Sequence, residues 1–422
     1  MNTRYSKSLL SWESAKQYLV PGSSTISKHP KLYTFGAYPI YVESGKGAEV
    51  TDIDGNTYVD FQSSLGATIL GTAYPEVVNA VIDQARKGSL FSLSTELPIR
   101  LAQILCDLIP SAERARILRN GSDATSAAVR IARAYTKRTK ILSCHFHGWH
   151  DWYYVITSMN RGIPAHLKDD IQEFPYNDLA ALENLFKKYP HEIAAIIMEP
   201  VHLEKPNKDY LKNVKKLAHT YGAVLIFDEV VTGFRFGLGG AQKHFGVTPD
   251  ITCIAKALAN GAPLSAVVGS AEIMDSTEDV ITSMTYGEET LAIASAIATL
   301  DVLIREPVVD HIWKLGKLFQ QKYNTLTKKY NVPSECIGLP PRMELTFTDS
   351  AVASRLHLKS YMLQESAKQG ILFGNMIFIN YSHTDEQISK ALAVCETIFQ
   401  KISKAKHASD IPLQGALCEQ LW

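Results

Sequence analysis

The stretch LIFDEVVTGFRFGLGGAQKHFGVTPDITCIAKALANGAP, residues 225–263 of a 422-residue chain, decides the reading of the fold. The apolar run 224–227, which begins one residue before it, and the run 251–254 are strand-sized, and each leads into a charged residue, Asp228 and Lys256. Working outward, 116–118, 140–144 and 194–198 upstream and 265–268 downstream read as further strands. Between them, residues 122–136 place Ala124, Ala127, Ala128 and Ile131 at i, i+3, i+4 and i+7, the spacing of an amphipathic helix. Near-continuous apolar strands alternating with helices imply a buried sheet of parallel strands. The expected fold class is therefore α/β, with a large domain whose mostly parallel sheet lies between helices. Ligands in such sheets bind outside the carboxyl ends of the strands, so the residues just after each strand are the ones that matter.

Three regions are expected. Residues 1–60 form an N-terminal segment in which Asp54-Gly55-Asn56 separates two alternating runs, predicting a β-hairpin because Gly and Asn tolerate positive φ. Residues 61–303 make the large domain. Residues 304–422 make a smaller α+β domain, with helices over 309–328 and 385–402 and short strands at 343–347 and 377–380. Lys plus Arg and Asp plus Glu both total 43, so the formal net charge is zero, which argues against a nucleic-acid partner. No apolar run approaches the about 20 residues of a membrane span, and the N-terminus lacks the pattern of a secretory signal. The six cysteines are scattered without a C-x-x-C pair, as expected of buried thiols in a reducing compartment. The expectation is a soluble, cytoplasmic protein.

Four strand ends carry candidate chemistry. Arg119-Asn120-Gly121-Ser122-Asp123-Ala124 joins a strand to a helix. Gly121 and Ser122 there read either as an anion cradle at a helix N-terminus or as a plain turn capped by Ser122 or Asp123. Cys144-His145-Phe146-His147-Gly148-Trp149-His150 allows three readings: a metal site of His145, His147 and His150; an aromatic platform, Phe146, with His147 hydrogen-bonding nearby; or ordinary packing. Asp228, after an apolar strand, is a buried carboxylate that needs a partner: a protonated ring nitrogen, a metal ion or Arg235. Lys256 lies in an apolar, small-residue setting. It is either a desolvated, nucleophilic amine or a side chain that snorkels to solvent.

Taken together, an anion cradle, an aromatic platform, a buried Asp and a buried Lys correspond to the phosphate, ring face, ring nitrogen and aldehyde of pyridoxal 5'-phosphate. Residues 225–250, together with 120–139, 58–76 and the Lys256 segment ending in Gly261-Ala262-Pro263, resemble the class III aminotransferases of PLP fold type I. The likeness is greatest to the glutamate-1-semialdehyde 2,1-aminomutase branch. It runs from about Pro21 to residue 300 and more weakly to residue 402.

The resemblance implies a PLP-dependent aminotransferase with Lys256 as the Schiff-base lysine and proton shuttle, and Asp228 at the pyridine nitrogen. By the same resemblance Phe146 and Val230 sandwich the ring, Gly121 and Ser122 bind the phosphate, and His147 and Glu199 lie around the phenolic edge. Thr285 reaches the neighbouring subunit's cofactor phosphate, which implies a homodimer with its active site at the interface. Departures from the family pattern bear on substrate. Val231 stands where many ω-transaminases carry Gln, and Phe378-Ile379-Asn380 lacks the Arg that holds an α-carboxylate. Gly287-Glu288-Glu289-Thr290 differs from the aminomutase loop. Lys28 replaces the aminomutase Arg, offering a compact point charge in place of a planar fork and redirecting substrate binding toward phosphate or sugar hydroxyls. The expected activity is ping-pong transfer from a small-molecule amino donor to a carbonyl acceptor such as a keto-sugar, with an aminomutase or epimerase as the alternative. The run Gly237-Leu238-Gly239-Gly240 does not open a βαβ unit, so NAD chemistry has little support.

Overall fold

The computed structural model describes residues 3–20, 22–276 and 278–420. Pro21, which opens the N-terminal Pro-Gly segment, lies outside the described residues. The chain divides into two compact units, one of residues Pro75–Val309 and one joining the N-terminal part up to Tyr74 with the part from Asp310 onward. The division thus differs from the three parts expected at residues 60 and 303.

The physical reason lies in backbone pairing. The expected hairpin forms from Glu49–Asp52 and Thr57–Asp60, with Gly55 at φ +88° in its turn. Its second strand then pairs in parallel with Ile371–Leu372. The Val59 and Phe61 N–H groups donate to the carbonyls of Gly370 and Leu372 at 2.9 and 3.0 Å. The same unit contains the helix Val308–Lys329 from Asp310 onward, the helix Asp385–Lys404 and the strand Arg342–Phe347, close to the expected bounds, and a shorter strand at Met376–Ile377.

In the unit Pro75–Val309 seven strands form one sheet: β1 (Arg114–Leu118), β2 (Lys140–Cys144), β3 (Ile171–Glu173), β4 (Ile193–Met198), β5 (Val224–Glu229), β6 (Ile251–Ile254) and β7 (Ser265–Gly269). Their order is β1-β7-β6-β5-β4-β2-β3, and only β7 runs antiparallel to its neighbours. Every residue of β4, β5, β6 and β7 is buried.

The two-residue period of a strand sends alternate side chains to opposite faces. Ile197, Ile226 and Cys253 pack with Ala124, Ala128 and Ile131 of helix α1 (Gly121–Thr136), while Ile196, Leu225 and Phe227 pack with Leu182, Phe186 and Val214. Each fully buried aliphatic side chain contributes about 1.5–3 kcal/mol by leaving water. Pairing aligns Cys144 with Met198, Met198 with Phe227, and Phe227 with Thr252. One step further along the strands, His145, Glu199, Asp228 and Cys253 therefore form a row at the sheet's carboxyl edge.

Candidate active site

At the end of β1 the chain turns into α1. Asn120 is the N-cap: its side chain accepts from the Asp123 N–H at 3.2 Å and the Asp123 carboxylate accepts from the Asn120 N–H at 3.0 Å. Capping therefore falls to Asn120, and not to Ser122 or Asp123. The Ser265 hydroxyl at the start of β7 donates to the Asn120 carbonyl at 2.8 Å and fixes the turn to the sheet. Gly121 and Ser122 are the first two residues of a 16-residue helix, where backbone N–H groups have no intrahelical acceptor and the dipole favours anions. There is no room here for larger residues. A Cβ on Gly121 would lie 2.9 Å from Val230 Cγ1, and one on Gly148, at φ +100°, would lie 2.4 Å from Ser122 Oγ.

The strand period separates the two adjacent carboxylates at the end of β5. Asp228 shares the parity of Ile226 and faces α1. Glu229 shares that of Phe227 and faces the other side. Asp228 is buried, with His147 Nδ1 2.8 Å from Oδ2 and the Val230 N–H donating to Oδ1 at 3.1 Å. With Asp228 ionised, His147 carries its hydrogen on Nδ1. His147 Nε2 is buried and has no hydrogen-bond partner among the described residues. The His147 ring lies parallel to Trp152, with centroids 6.5 Å apart, and meets Tyr153 edge-on at 5.5 Å.

Glu229 is fully buried in a different network. It accepts from the Ala241 and Gln242 N–H groups, the Gln242 side chain and the Thr232 hydroxyl, at 2.5–3.1 Å. Burial pushes its carboxyl above the usual range, and those donors offset the shift only in part.

The histidine-rich segment after β2 does not converge on one point. His147 meets Asp228, while His150 Nδ1 lies 2.6 Å from the Ser126 hydroxyl. His145, left-handed at φ +77°, stacks on His202 with centroids 5.1 Å apart. The metal reading of these three histidines is thereby overturned, since each ring is committed to a different neighbour. Phe146 is 55% exposed, with Tyr153 edge-on to its ring at 5.6 Å, which is the geometry of an open aromatic surface and not of core packing.

Lys256 follows β6 by two residues, and Cys253 of that strand pairs with Asp228. Its backbone is left-handed at φ +44°, a conformation that costs a non-glycine residue about 1–3 kcal/mol and is concentrated at functional sites. It is half-buried, followed by buried Ala257, Leu258 and Ala259. Glu199, directly after β4, is buried, with Oε1 3.8 Å from His202 Nε2. Arg235 is fully buried, and burial lowers its guanidinium to about 9.

The carboxyl edge thus links His147 to Asp228, Asp228 to Val230 and Val230 to Gly121, with Ser122 next in the chain and Glu199 and Lys256 on neighbouring strand ends. Two residues are not on these strand ends. Thr285 is exposed in a loop and lines a groove of about 600 Å³ with Leu90–Thr95 and Met284. Lys28 is exposed at the end of the turn Ile26–Lys28 in the other unit.

Sequence reasoning missed Glu229, Ser265 and His202. The doublet Asp228-Glu229 at a strand end was a legible signal for Glu229, because neighbours on a strand must face opposite ways. Ser265 and His202 join the site only through partners remote in sequence.

The profile of the class-III aminotransferases matches residues 34–399. The chain is 36% identical to a 3-aminobutyryl-CoA aminotransferase from Cloacimonas acidaminovorans, over 96% of this chain and 98% of that one. It is 32% identical to a glutamate-1-semialdehyde 2,1-aminomutase from Persephonella marina, over 94% and 99%. Its structure superposes on that of a transaminase with PLP bound at a TM-score of 0.87 and 26% identity, covering 96% of this chain and 99% of the other. The sheet and its helices are those of the type I fold of PLP-dependent transferases. A profile match across most of the chain and relatives aligned nearly end to end place the protein in the class-III aminotransferases, PLP-dependent enzymes that include both transaminases and aminomutases.

Proposed function

We propose that this chain moves an amino group from a small-molecule donor to a carbonyl acceptor by a ping-pong route, with Lys256 and Asp228 as its catalytic residues. The observation that carries the reading is the buried Asp228 carboxylate, held by His147 and the Val230 N–H, on the strand paired with the one that leads to Lys256.

The residues present suit pyridoxal 5'-phosphate. Gly121 and Ser122 open a capped helix where a Cβ would collide with Val230, which supports them as the phosphate cradle. Asp228 retains acceptor capacity for a protonated ring nitrogen. Phe146 and Val230 would bound the ring's two faces, and His147 and Glu199 its phenolic edge. When bound, the cofactor supplies an aldehyde that condenses with an amine and a ring that takes up electrons from the substrate carbon.

The chain's own residues do the rest. Lys256 Nζ would hold the cofactor's aldehyde, and the same amine would remove and return the proton at the reacting carbon. Asp228 stays charged opposite the ring nitrogen and so favours its protonated form. His147 Nδ1–H and the Val230 N–H keep that carboxylate in one orientation.

Homodimer formation with shared sites has physical support. Leu90, Phe91, Leu93 and Ile99, exposed beside the groove that Thr285 lines, make an apolar surface that a second copy would cover. Thr285 would then reach the phosphate of the partner. Among the described residues no helix is long and apolar enough to cross a membrane, and the six cysteines are unpaired, which supports a cytoplasmic setting.

Lys28 is the proposed substrate-binding cation. The relative that acts on 3-aminobutyryl-CoA makes a β-amino acyl thioester the first donor to test, and a keto-sugar is the other acceptor class proposed. The aminomutase reading draws on relatives such as that of Persephonella marina. An aminomutase would turn over without consuming a separate donor.

The decisive experiment is borohydride reduction of the PLP-loaded protein followed by peptide mapping. A pyridoxyl label on Lys256 is expected, and its absence there would end the proposal. Donor consumption during turnover then separates transaminase from mutase.

A further inference from the structure

Four residues from the ends of three neighbouring strands form a cluster of which the reaction scheme uses only Glu199. His145 follows β2, Tyr176 follows β3, and Glu199 and His202 follow β4. Glu199 is a buried carboxylate, costly to keep charged without a cation or donors. His202 Nε2 lies 3.8 Å from its Oε1, beyond hydrogen-bond length but within ion-pair range, and the His202 side chain is 32% exposed.

The other face of the His202 ring is covered by His145, at 5.1 Å between centroids and 20° between planes. His145 reaches it from a left-handed backbone, φ +77°, that a non-glycine residue adopts only at a cost. Tyr176 packs against His145 at 4.9 Å and donates its hydroxyl to the Pro200 carbonyl at 2.6 Å, tying down the loop that carries His202. The structure therefore spends backbone strain to aim one imidazole at another, and the second at a buried carboxylate.

We propose that His202, held by stacking on His145, is a positioning residue for Glu199. In its protonated form the ring pairs with the buried carboxylate and keeps it oriented at the edge of the cofactor site. The inference rests on the proposed place of Glu199 beside the cofactor's phenolic edge. The titratable groups around Glu199 and His202 include Cys144 and His145 from β2 and its end, Glu173 at the end of β3 with Tyr176 after it, Glu204 after β4, and Tyr210 against Tyr176. Cys144 lies with its Sγ 3.8 Å from His145 Nδ1. Burial, with Glu199 and Glu173 adding to it, pushes the Cys144 thiol up to about 12. Burial likewise pushes the Tyr176 phenol above its ordinary value. Both stay neutral across the physiological range, which leaves the two imidazoles and the carboxylates to set the local charge.

The test is a double-mutant cycle on the PLP-loaded protein with His202→Gln, Glu199→Gln and the pair. Its readouts are the PLP dissociation constant from protein fluorescence and the pH titration of the bound cofactor's absorbance. His202→Gln is expected to weaken PLP binding about tenfold, the scale of a coupled pair, and to move the midpoint of the absorbance titration. In the Glu199→Gln background the same change should add less than twofold. Independent effects that multiply in the double variant, or an unmoved titration in His202→Gln, would overturn the proposal. Should His202→Gln fail to fold, the cycle is run with His145→Gln, which removes the stack and leaves His202 in place; the same coupling to Glu199 is expected, and its absence counts against the idea equally. Failure of the underlying reading is separable, because it would appear as missing pyridoxyl label on Lys256 in the unaltered protein.

Discussion

Replacing Asp228 by Asn changes one charge and almost no volume, which makes it the sharpest probe of the site. The amide oxygen can keep the 3.1 Å bond from the Val230 N–H. The amide nitrogen then falls where Oδ2 stood, 2.8 Å from His147 Nδ1, so two donors face one another unless His147 moves its hydrogen to Nε2. That atom is buried and has no partner among the described residues, so the shift is sterically open but unrewarded. Losing one charge-assisted hydrogen bond in a buried setting costs about 1.5–3 kcal/mol. At the reacting centre the loss is larger. A fixed charge opposite the ring nitrogen acts as preorganised electrostatic stabilisation, and removing one such element costs about 2.7–4 kcal/mol, or roughly 10²–10³ in rate. The assay is the single-turnover half-reaction of the PLP-loaded protein with excess amino donor, followed by the cofactor's absorbance. Melting temperature and PLP affinity are measured alongside. The expected result is a rate down by about two to three orders of magnitude with the fold intact. A rate within threefold of the unaltered protein, with PLP still bound, would refute the role assigned to Asp228.

Gly121→Ala places a methyl group 2.9 Å from Val230 Cγ1. PLP affinity is expected to drop about tenfold, as overpacking of about 1–3 kcal/mol predicts, and Val230→Ala in the same chain should restore much of it; equilibrium titration of both variants checks this. Native protein should react slowly with a thiol reagent at pH 8, whereas all six cysteines should react in denaturant, because burial pushes thiols such as Cys144 upward. Burial alone would raise the Glu365 carboxyl, but Lys368, Gln364 and Lys401 outweigh it and hold it below its ordinary 4.5. Its stabilising contribution is thus present above about that pH and is lost as pH falls through the lower folded value, so urea midpoints at pH 6 and pH 3.5 should differ more for the unaltered protein than for Glu365→Gln.

Most of the sheet was legible because apolar runs are local signals: the strand expected at 116–118 is β1, and the one expected at 194–198 is β4, each within two residues. Two of the strands that escaped notice are short or polar. Ile171–Glu173 offers one buried residue, and Ile371–Leu372 exists only because the distant hairpin provides a partner. The same limit applied to the site. That Asp228 needed a partner followed from its place after an apolar strand, but three kinds of partner were open. The one found, His147, is 81 residues away in sequence. The three histidines were close in sequence and so invited a shared ligand. The chain, however, turns through a left-handed residue at His145 and a glycine at φ +100° at Gly148, and this swings the rings apart. Proximity in sequence predicts proximity of backbone, not convergence of side chains.

The placement of Asp228 and Glu229 shows how one strand end serves both stability and chemistry. Two carboxylates held on the same side of a chain repel one another. On a strand the alternation separates them by the thickness of the sheet. Glu229 turns to the side away from α1 and fastens the backbone of Ala241 and Gln242, closing the connection from residue 230 to 242 into a fixed loop. Val230 belongs to that loop, and Val230 both donates to Asp228 and sets the floor that makes glycine necessary at 121. Satisfying one buried charge on the far face therefore constrains the geometry of the other on the near face. An edge built this way holds its carboxylate in place before any ligand arrives, so binding need not bear the cost of arranging it.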